Sequence, residues 1–117
     1  MNLTNVHPEA KIGEHVHISP FVTIEKDVVI GDHTWIGPNA SIMNGARIGK
    51  HCQIHPGAVV SGTPQDLKFE GEESLLEVGD HTIIREFCTL NRGTKANGTT
   101  KIGSHCLLMA YVHIAHD

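Results

Sequence analysis

Residues 22–60 read VTIEKDVVIGDHTWIGPNASIMNGARIGKHCQIHPGAVV, and in this stretch an isoleucine or valine recurs at every sixth residue from Ile24 to Val60. A six-residue period fits neither the 3.6-residue turn of an α-helix nor the two-residue alternation of one long strand. Self-similarity at a hexapeptide period is typical of a parallel β-helix, in which short strands wind around a prism. The sequence therefore predicts an all-β fold of this kind.

The same period runs through most of the chain. Isoleucine, leucine or valine occupies 16 of the 19 residue numbers divisible by six, whereas the aliphatic content would give about four or five by chance. The residue four places after each aliphatic is small or β-branched, with Pro64 as the exception. We expect the aliphatic side chains to fill the prism, the small ones to lie where two walls converge, and three strands to close a coil of about 18 residues.

Two residue types mark the corners of the predicted prism. Glycine, which adopts backbone conformations closed to other residues, is expected to form corners directly after six of the aliphatics: Gly13, Gly31, Gly37, Gly49, Gly79 and Gly103. His15, His33 and His51 are 18 residues apart, so they are expected to stack about 5 Å apart at one corner. His81 and His105 occupy the same place in the six-residue repeat, or hexad. Corner side chains point outward and no carboxylates accompany this column, so no metal site is predicted.

The six-residue pattern of aliphatic residues, called the hexad lattice below, is interrupted in two places. It fails at Asp66 and Glu72 within GTPQDLKFEGEES, and again at Ala96 within TKANGTT. These polar, glycine-containing stretches predict loops extruded from the coils at about residues 62–74 and 95–100. Insertions in repeat proteins gather on one face that often binds, although tolerated surface insertions are an equal alternative. The chain stops within the hexad that begins at Ile114, so we expect residues 1–117 to be a β-helix domain truncated in mid-repeat.

Composition narrows the function classes. A net charge of −4 with mixed signs argues against a nucleic-acid partner. The sequence has no run of 18 apolar residues and no signal peptide at its start, so no membrane span and a cytoplasmic location are expected. Cys52, Cys88 and Cys106 all stand at the small-residue position of the hexad. They are interpreted as buried, reduced fillers rather than as a disulfide framework.

Three motifs together carry a resemblance to a family. GTPQDLKFEG (62–71), LNRGT (90–94) and HIAHD (113–117) resemble the acyl-[acyl-carrier-protein]–UDP-N-acetylglucosamine O-acyltransferases, which open lipid A biosynthesis. The resemblance covers the whole chain but about half of such an enzyme. It implies a left-handed parallel β-helix, a homotrimer with active sites between neighbouring prisms, and no cofactor. The implied reaction moves a 3-hydroxyacyl group from acyl carrier protein to the 3-hydroxyl of UDP-N-acetylglucosamine.

The resemblance also implies roles for individual residues. A sugar hydroxyl needs a base to remove its proton, and histidine titrates near neutral pH. In HIAHD the matching base is His116, with Asp117 orienting its imidazole and His113 placed to hydrogen-bond the substrate.

The QDLK segment matches a stretch that contacts the sugar nucleotide in the family. Gln65 can donate and accept hydrogen bonds, Asp66 can accept them from sugar hydroxyls, and Lys68 offers a positive charge to an anionic group. Asn91, where some relatives carry a histidine, is given no role. The alternative is that these are solvated loop residues.

Other functions on the same scaffold remain open at this point. They are a different hexapeptide-repeat acyltransferase, a zinc protein resembling the γ-class carbonic anhydrases, and a trimerising scaffold without catalysis. The zinc enzymes separate a ligand pair by four residues, whereas HIAH has two residues between its histidines. A related N-acyltransferase carries a uridine-binding domain before its hexads, and a first hexad at Val6 leaves no room for one.

Overall fold

A computed structural model describes residues 4–62, 74–93 and 98–114. These residues form short strands of two to four residues, which are β1 Asn5–Val6, β2 Lys11–Ile12, β3 His17–Ile18, β4 Thr23–Ile24, β5 Val29–Ile30, β6 Trp35–Ile36, β7 Ser41–Ile42, β8 Ala46–Ile48, β9 Gln53–Ile54, β10 Val59–Gly62, β11 Leu75–Val78, β12 Ile83–Ile84, β13 Thr89–Asn91, β14 Thr99–Ile102, β15 Leu107–Leu108 and β16 His113–Ile114. In the described ranges no helix is long and apolar enough to cross a membrane.

Successive strands fall in turn into three parallel sheets. Sheet A runs β1-β4-β7-β10-β13-β16, sheet B β2-β5-β8-β11-β14, and sheet C β3-β6-β9-β12-β15. Each strand thus pairs with the strand three places further along the chain, and Asn5 lies beside Thr23, 18 residues later. The chain winds around a three-walled prism, and the predicted left-handed parallel β-helix is confirmed.

The aliphatic side chains of the hexad lattice face the interior of this prism. In β5 the inward Ile30 is 2% exposed, whereas the outward Val29 beside it is 36% exposed. The small residues that follow, such as Ala40 and Ala58, are fully buried at the convergence of two walls. Thr34 stands at the same kind of position, and its hydroxyl donates a 2.8 Å hydrogen bond to the Gly49 carbonyl, so its polar group is satisfied. The predicted division between large and small positions is confirmed.

The corners differ from the sequence prediction in one respect. The backbone turns into the left-handed region at the column histidines, with φ between 56° and 60°, and not at the glycines two positions before them. The expectation that those glycines supply the unusual conformation is therefore wrong. They are needed for space, because a Cβ on Gly31 would lie 2.6 Å from the carbonyl carbon of Gly49 in the next coil. The predicted histidine stack is confirmed, with neighbouring ring centroids 4.9–5.0 Å apart.

This packing makes a prediction about two glycines in the same column. Replacing Gly31 by alanine is expected to destabilise the fold by about 2 kcal/mol or more, since backbone atoms of the next coil would have to move. In the 117-residue chain Gly103→Ala is the matched control, because among the described residues its added Cβ would approach only the Cys106 sulfur, at 3.4 Å. Urea unfolding of both variants measures the difference. Equal stabilities for the two would contradict this role of the glycine.

Both lattice breaks lie at one corner of the prism. Val59 pairs with Thr89, 30 residues later, and Thr89 pairs with His113, 24 residues later, so two neighbouring coils carry extra residues. In each case the chain leaves sheet A and re-enters sheet B. The predicted loop bounds are too wide, because Gly62 belongs to β10, and Thr99 and Thr100 belong to β14. β11 and β14 extend their pairing by these two residues because both strands enter sheet B from an insertion at the same corner.

Candidate functional site

The corner between sheets A and B is the candidate functional edge of the protein. We call it the insertion edge and define it by the four residues that flank the two insertions, Gly62, Ser74, Gly93 and Gly98. β10 and β13, which lead into the insertions, are adjacent strands of sheet A. β16, which leads into residues 115–117, is the next strand of the same sheet. Three neighbouring strands therefore lead the three resemblance motifs towards the same corner.

Most of the predicted site residues lie outside the described residues, namely Gln65, Asp66, Lys68, His116 and Asp117. His113 is described, and it is the first residue of β16, where it pairs with Thr89. It is exposed, while Ile114 beside it faces the prism interior. The imidazole of His113 thus stands on the outer surface of sheet A, close to the strand end that precedes His116 in the sequence.

Backbone hydrogen bonds tie the flanks of the two insertions to each other. The Arg92 amide donates to the Gly62 carbonyl at 3.0 Å, and the Gly93 amide donates to the Leu75 carbonyl at 3.1 Å. The Leu75 amide in turn donates to the Gly98 carbonyl at 2.9 Å. The beginning and the end of the first insertion are therefore held by residues on either side of the second, so the two form one structural unit at their bases.

Gly45 lies under this unit, in the coil that precedes both insertions. Its φ of +91° belongs to the left-handed region. A Cβ there would overlap the Ser74 carbonyl oxygen and would lie 3.2 Å from the Ser61 hydroxyl and 3.4 Å from Arg92 Cδ. The corner is thus packed against its own backbone, and this packing requires glycine for both space and conformation. Neither Gly45 nor Arg92 was assigned a role from the sequence; the position of Arg92 inside the LNRGT motif was the available signal.

A polar groove of about 670 Å³ borders the insertion edge on the side of sheet B. Its lining carries two ion pairs, Lys26 Nζ to Glu9 Oε2 at 3.5 Å and Arg47 Nη2 to Asp27 Oδ1 at 2.7 Å. Ser74 also lines the groove, and its hydroxyl is buried without a hydrogen-bond partner among the described residues. The groove balances its charges and offers polar groups, which suits a polar ligand better than an apolar one.

The described residues support neither a metal-binding site nor a nucleophilic cysteine. These ranges contain no group of three or more histidine, cysteine or acidic side chains that could hold a metal ion. In the histidine column the ring planes are within 16° of parallel, so their nitrogen lone pairs do not converge on one point. Burial raises the pKa of the Cys52 and Cys88 thiols, which therefore make poor nucleophiles. Cys52 and Cys88 are free and buried, as the sequence indicated, whereas Cys106 is free but only partly buried, so the prediction of burial is wrong there.

One histidine with a shifted pKa lies away from the edge. Burial lowers the pKa of His55, and the positive charge of Arg85 lowers it further. His55 lies next to β9 in sheet C, where its Nε2 is 3.2 Å from Gln53 Oε1 and its ring is tilted against Trp35. Sheet C forms the wall opposite the insertion edge, so this histidine belongs to a surface aromatic cluster and has no part in the candidate site.

Comparison with known proteins agrees with the geometry. The sequence model of the bacterial transferase hexapeptide family (six repeats) matches residues 27–62. An acyl-[acyl-carrier-protein]–UDP-N-acetylglucosamine O-acyltransferase of Chlorobaculum parvum is 56% identical over 121 aligned residues, which cover 98% of this chain and 46% of the relative. Among solved structures, a UDP-N-acetylglucosamine acyltransferase of Bacteroides fragilis superposes with a TM-score of 0.97 at 56% identity, covering 99% of this chain and 46% of that one.

The similarity extends to more distant members. The structure of a protein named LpxA from Acinetobacter baumannii also superposes with a TM-score of 0.97, at 42% identity over the full length of this chain and 46% of that one. The chain thus spans about half the length of the relatives that it matches. The chain belongs to the acyl-[acyl-carrier-protein]–UDP-N-acetylglucosamine O-acyltransferase family.

Proposed function

We propose that the protein transfers a 3-hydroxyacyl chain from acyl carrier protein to the 3-hydroxyl of UDP-N-acetylglucosamine, the first step of lipid A biosynthesis. The observation that carries the proposal is the 56% identity, over 98% of this chain, to a relative named for that reaction. The convergence of three strands on the insertion edge supports it, because residues from separate coils can then act on one substrate. We place the sugar nucleotide at this edge.

In the proposed reaction His116 acts as general base. The sugar 3-hydroxyl is a weak nucleophile until the imidazole takes its proton, and its oxygen then attacks the thioester carbonyl carbon. The tetrahedral intermediate collapses as the carbon–sulfur bond breaks, and the imidazolium returns the proton to the departing thiol of acyl carrier protein. The products are a sugar ester and a free thiol, so atoms and charge balance without a cofactor. Asp117 orients the imidazole and stabilises its charged form.

We assign recognition of the sugar nucleotide to the residues of the first insertion. Gln65 and Asp66 hydrogen-bond sugar hydroxyl and amide groups, and Lys68 pairs with an anionic group of the nucleotide. His113 supplies a further hydrogen bond from the outer surface of sheet A, where the structure exposes its ring. The polar groove beside the edge leaves room for a ligand of this character.

We also propose that the protein works as a cytoplasmic homotrimer, with each site formed between neighbouring prisms. The family resemblance and the position of the insertions at one exposed corner support this arrangement, since a corner can reach an adjacent prism. Light scattering coupled to gel filtration measures the number of copies directly. Three copies per particle are expected, and a monomer at micromolar concentration would contradict the shared site.

An acyl-transfer assay on the protein at its full natural length tests the reaction. With 3-hydroxyacyl-acyl carrier protein and UDP-N-acetylglucosamine, we expect one free carrier thiol for each sugar ester formed. The matched control is the analogue that lacks the 3-hydroxyl, which should give no ester because the hydroxyl that His116 is proposed to deprotonate is absent. Thiol release without ester would show a thioesterase instead, and release of neither product would contradict the proposed function.

A further inference from the structure

We propose that Arg92 is a positioning residue for sugar-nucleotide binding, because it fixes the base of the insertion that holds Gln65, Asp66 and Lys68. This inference rests on the proposed function and adds to it a residue that acts through the backbone at the insertion edge. Arg92 follows β13 directly and is half-buried, at the point where the chain leaves sheet A for the second insertion.

The side chain of Arg92 connects three successive coils. Its Nη1 donates a 2.7 Å hydrogen bond to the carbonyl oxygen of Asn44, 48 residues earlier in the sequence. The same carbonyl oxygen accepts a 2.7 Å hydrogen bond from the Ser61 hydroxyl, immediately before the first insertion. Both insertions are thereby tied to a single acceptor in the coil that precedes them.

Asn44 is itself fixed, so it provides a firm anchor. Its amide donates to Glu25 Oε1 at 2.9 Å, and its side-chain oxygen accepts a hydrogen bond from the Asp27 amide at 2.9 Å. These bonds hold Asn44 to the coil before it. A guanidinium that donates to a held carbonyl in a half-buried place is worth more than a neutral hydrogen bond there.

The main chain around Arg92 controls both ends of the first insertion. The Arg92 amide holds Gly62, the last described residue before that insertion, and the next amide, of Gly93, holds Leu75 after it. Gly93 also packs so closely on Gly98 and Thr99 that an added Cβ would overlap the Thr99 amide. A displacement of Arg92 would therefore move the start and the end of the first insertion together.

Replacing Arg92 is expected to affect the position of the first insertion more than the stability of the fold. The interior beside Arg92 is filled by Leu90, which is fully buried, and Asn91 is also buried. A methionine at position 92 keeps most of the aliphatic part of the arginine side chain, so the substitution mainly removes the guanidinium. A shift of about 1 Å at a binding site can cost large factors in substrate affinity or rate. Loss of the Arg92 guanidinium is therefore expected to raise KM for the sugar nucleotide, whose proposed contacts lie on the first insertion, and not KM for acyl carrier protein.

The test uses Arg92→Met and Arg92→Lys in the protein at its full natural length. For Arg92→Met we expect KM for UDP-N-acetylglucosamine to rise about tenfold, with kcat and KM for acyl carrier protein changed by less than about threefold. Arg92→Lys keeps a charged donor and is expected to recover part of the loss. The matched control is Arg85→Met, which removes an exposed ion pair to Glu86 next to sheet C, away from the insertion edge, and should leave all three constants unchanged.

A second measurement does not depend on activity. Hydrogen exchange at the Leu75 and Gly93 amides, both bonded at the insertion edge, should be faster in Arg92→Met than in Arg85→Met. An unchanged KM for UDP-N-acetylglucosamine in a folded Arg92→Met variant would overturn the positioning role, as would an equal rise in both KM values. If the unaltered protein transfers no acyl group but amide exchange is still faster in Arg92→Met, the proposed function is wrong. The role of Arg92 in fixing the backbone at the insertion edge is then still supported.

Discussion

Replacing His116 by alanine in the protein at its full natural length is expected to lower the rate of acyl transfer by about 10²- to 10⁴-fold, the range for removal of a general base. The sugar hydroxyl would then attack the thioester without losing its proton. Trimer mass and melting temperature should stay near those of the unaltered protein, since the change removes no residue of the hexad lattice. Initial rates with both substrates saturating measure the effect.

A histidine at another corner provides the control for this prediction. His105 is exposed in the stacked column, at the corner between sheets B and C, and has a φ of 56°. Asparagine tolerates that conformation, so His105→Asn should keep the full transfer rate. A His116→Ala protein that retains more than about a tenth of the rate would show that His116 is not the base.

Replacing Ile30 by aspartate is expected to unfold the protein. Ile30 is 2% exposed in β5, which pairs with β2 and β8 in sheet B. An unpaired carboxylate there would cost several kcal/mol, which is comparable to the whole free energy of unfolding of a typical domain. The loss should appear as an absent cooperative transition in thermal unfolding and as aggregation or monomers in gel filtration.

Val29, the residue next to Ile30, provides a matched control for that substitution. Val29 lies in the same strand but faces outward and is 36% exposed. Val29→Asp should therefore fold and unfold cooperatively, with a change within about 1 kcal/mol. A soluble, cooperatively folded Ile30→Asp protein would overturn the assignment of the hexad positions to the interior.

The hexad pattern predicts the prism well because it reports directly on which side chains face inward. Ile36 and Ala40 illustrate this: each has a place in the lattice, and each is fully buried. The bounds of the second loop were wrong because the pattern records side-chain direction and not where backbone pairing begins. Thr99 and Thr100 bond to a neighbouring strand although the lattice has not yet resumed at Ile102.

Two features of the structure, one of them in the candidate site, were not predicted from the sequence pattern. The link between Arg92 and the Asn44 carbonyl joins residues 48 positions apart, and only the winding of the coils brings them together. The glycines that follow the aliphatics were predicted to adopt backbone conformations closed to other residues. Gly31 is instead needed because a side chain there would overlap the backbone of Gly49 in the next coil. The roles of His116, Asp117 and the QDLK residues come from motif resemblance alone and stay predictions.

The central claim is that the sugar nucleotide binds at the insertion edge, with its reactive hydroxyl beside His116. A crystal structure of the protein at its full natural length with UDP-N-acetylglucosamine bound tests this directly. We expect the sugar 3-hydroxyl oxygen to lie about 3 Å from a ring nitrogen of His116, within hydrogen-bond reach of the proton that the imidazole must remove. A sugar nucleotide bound against sheet C, or with its 3-hydroxyl directed away from His116, would contradict both the binding site and the role of His116.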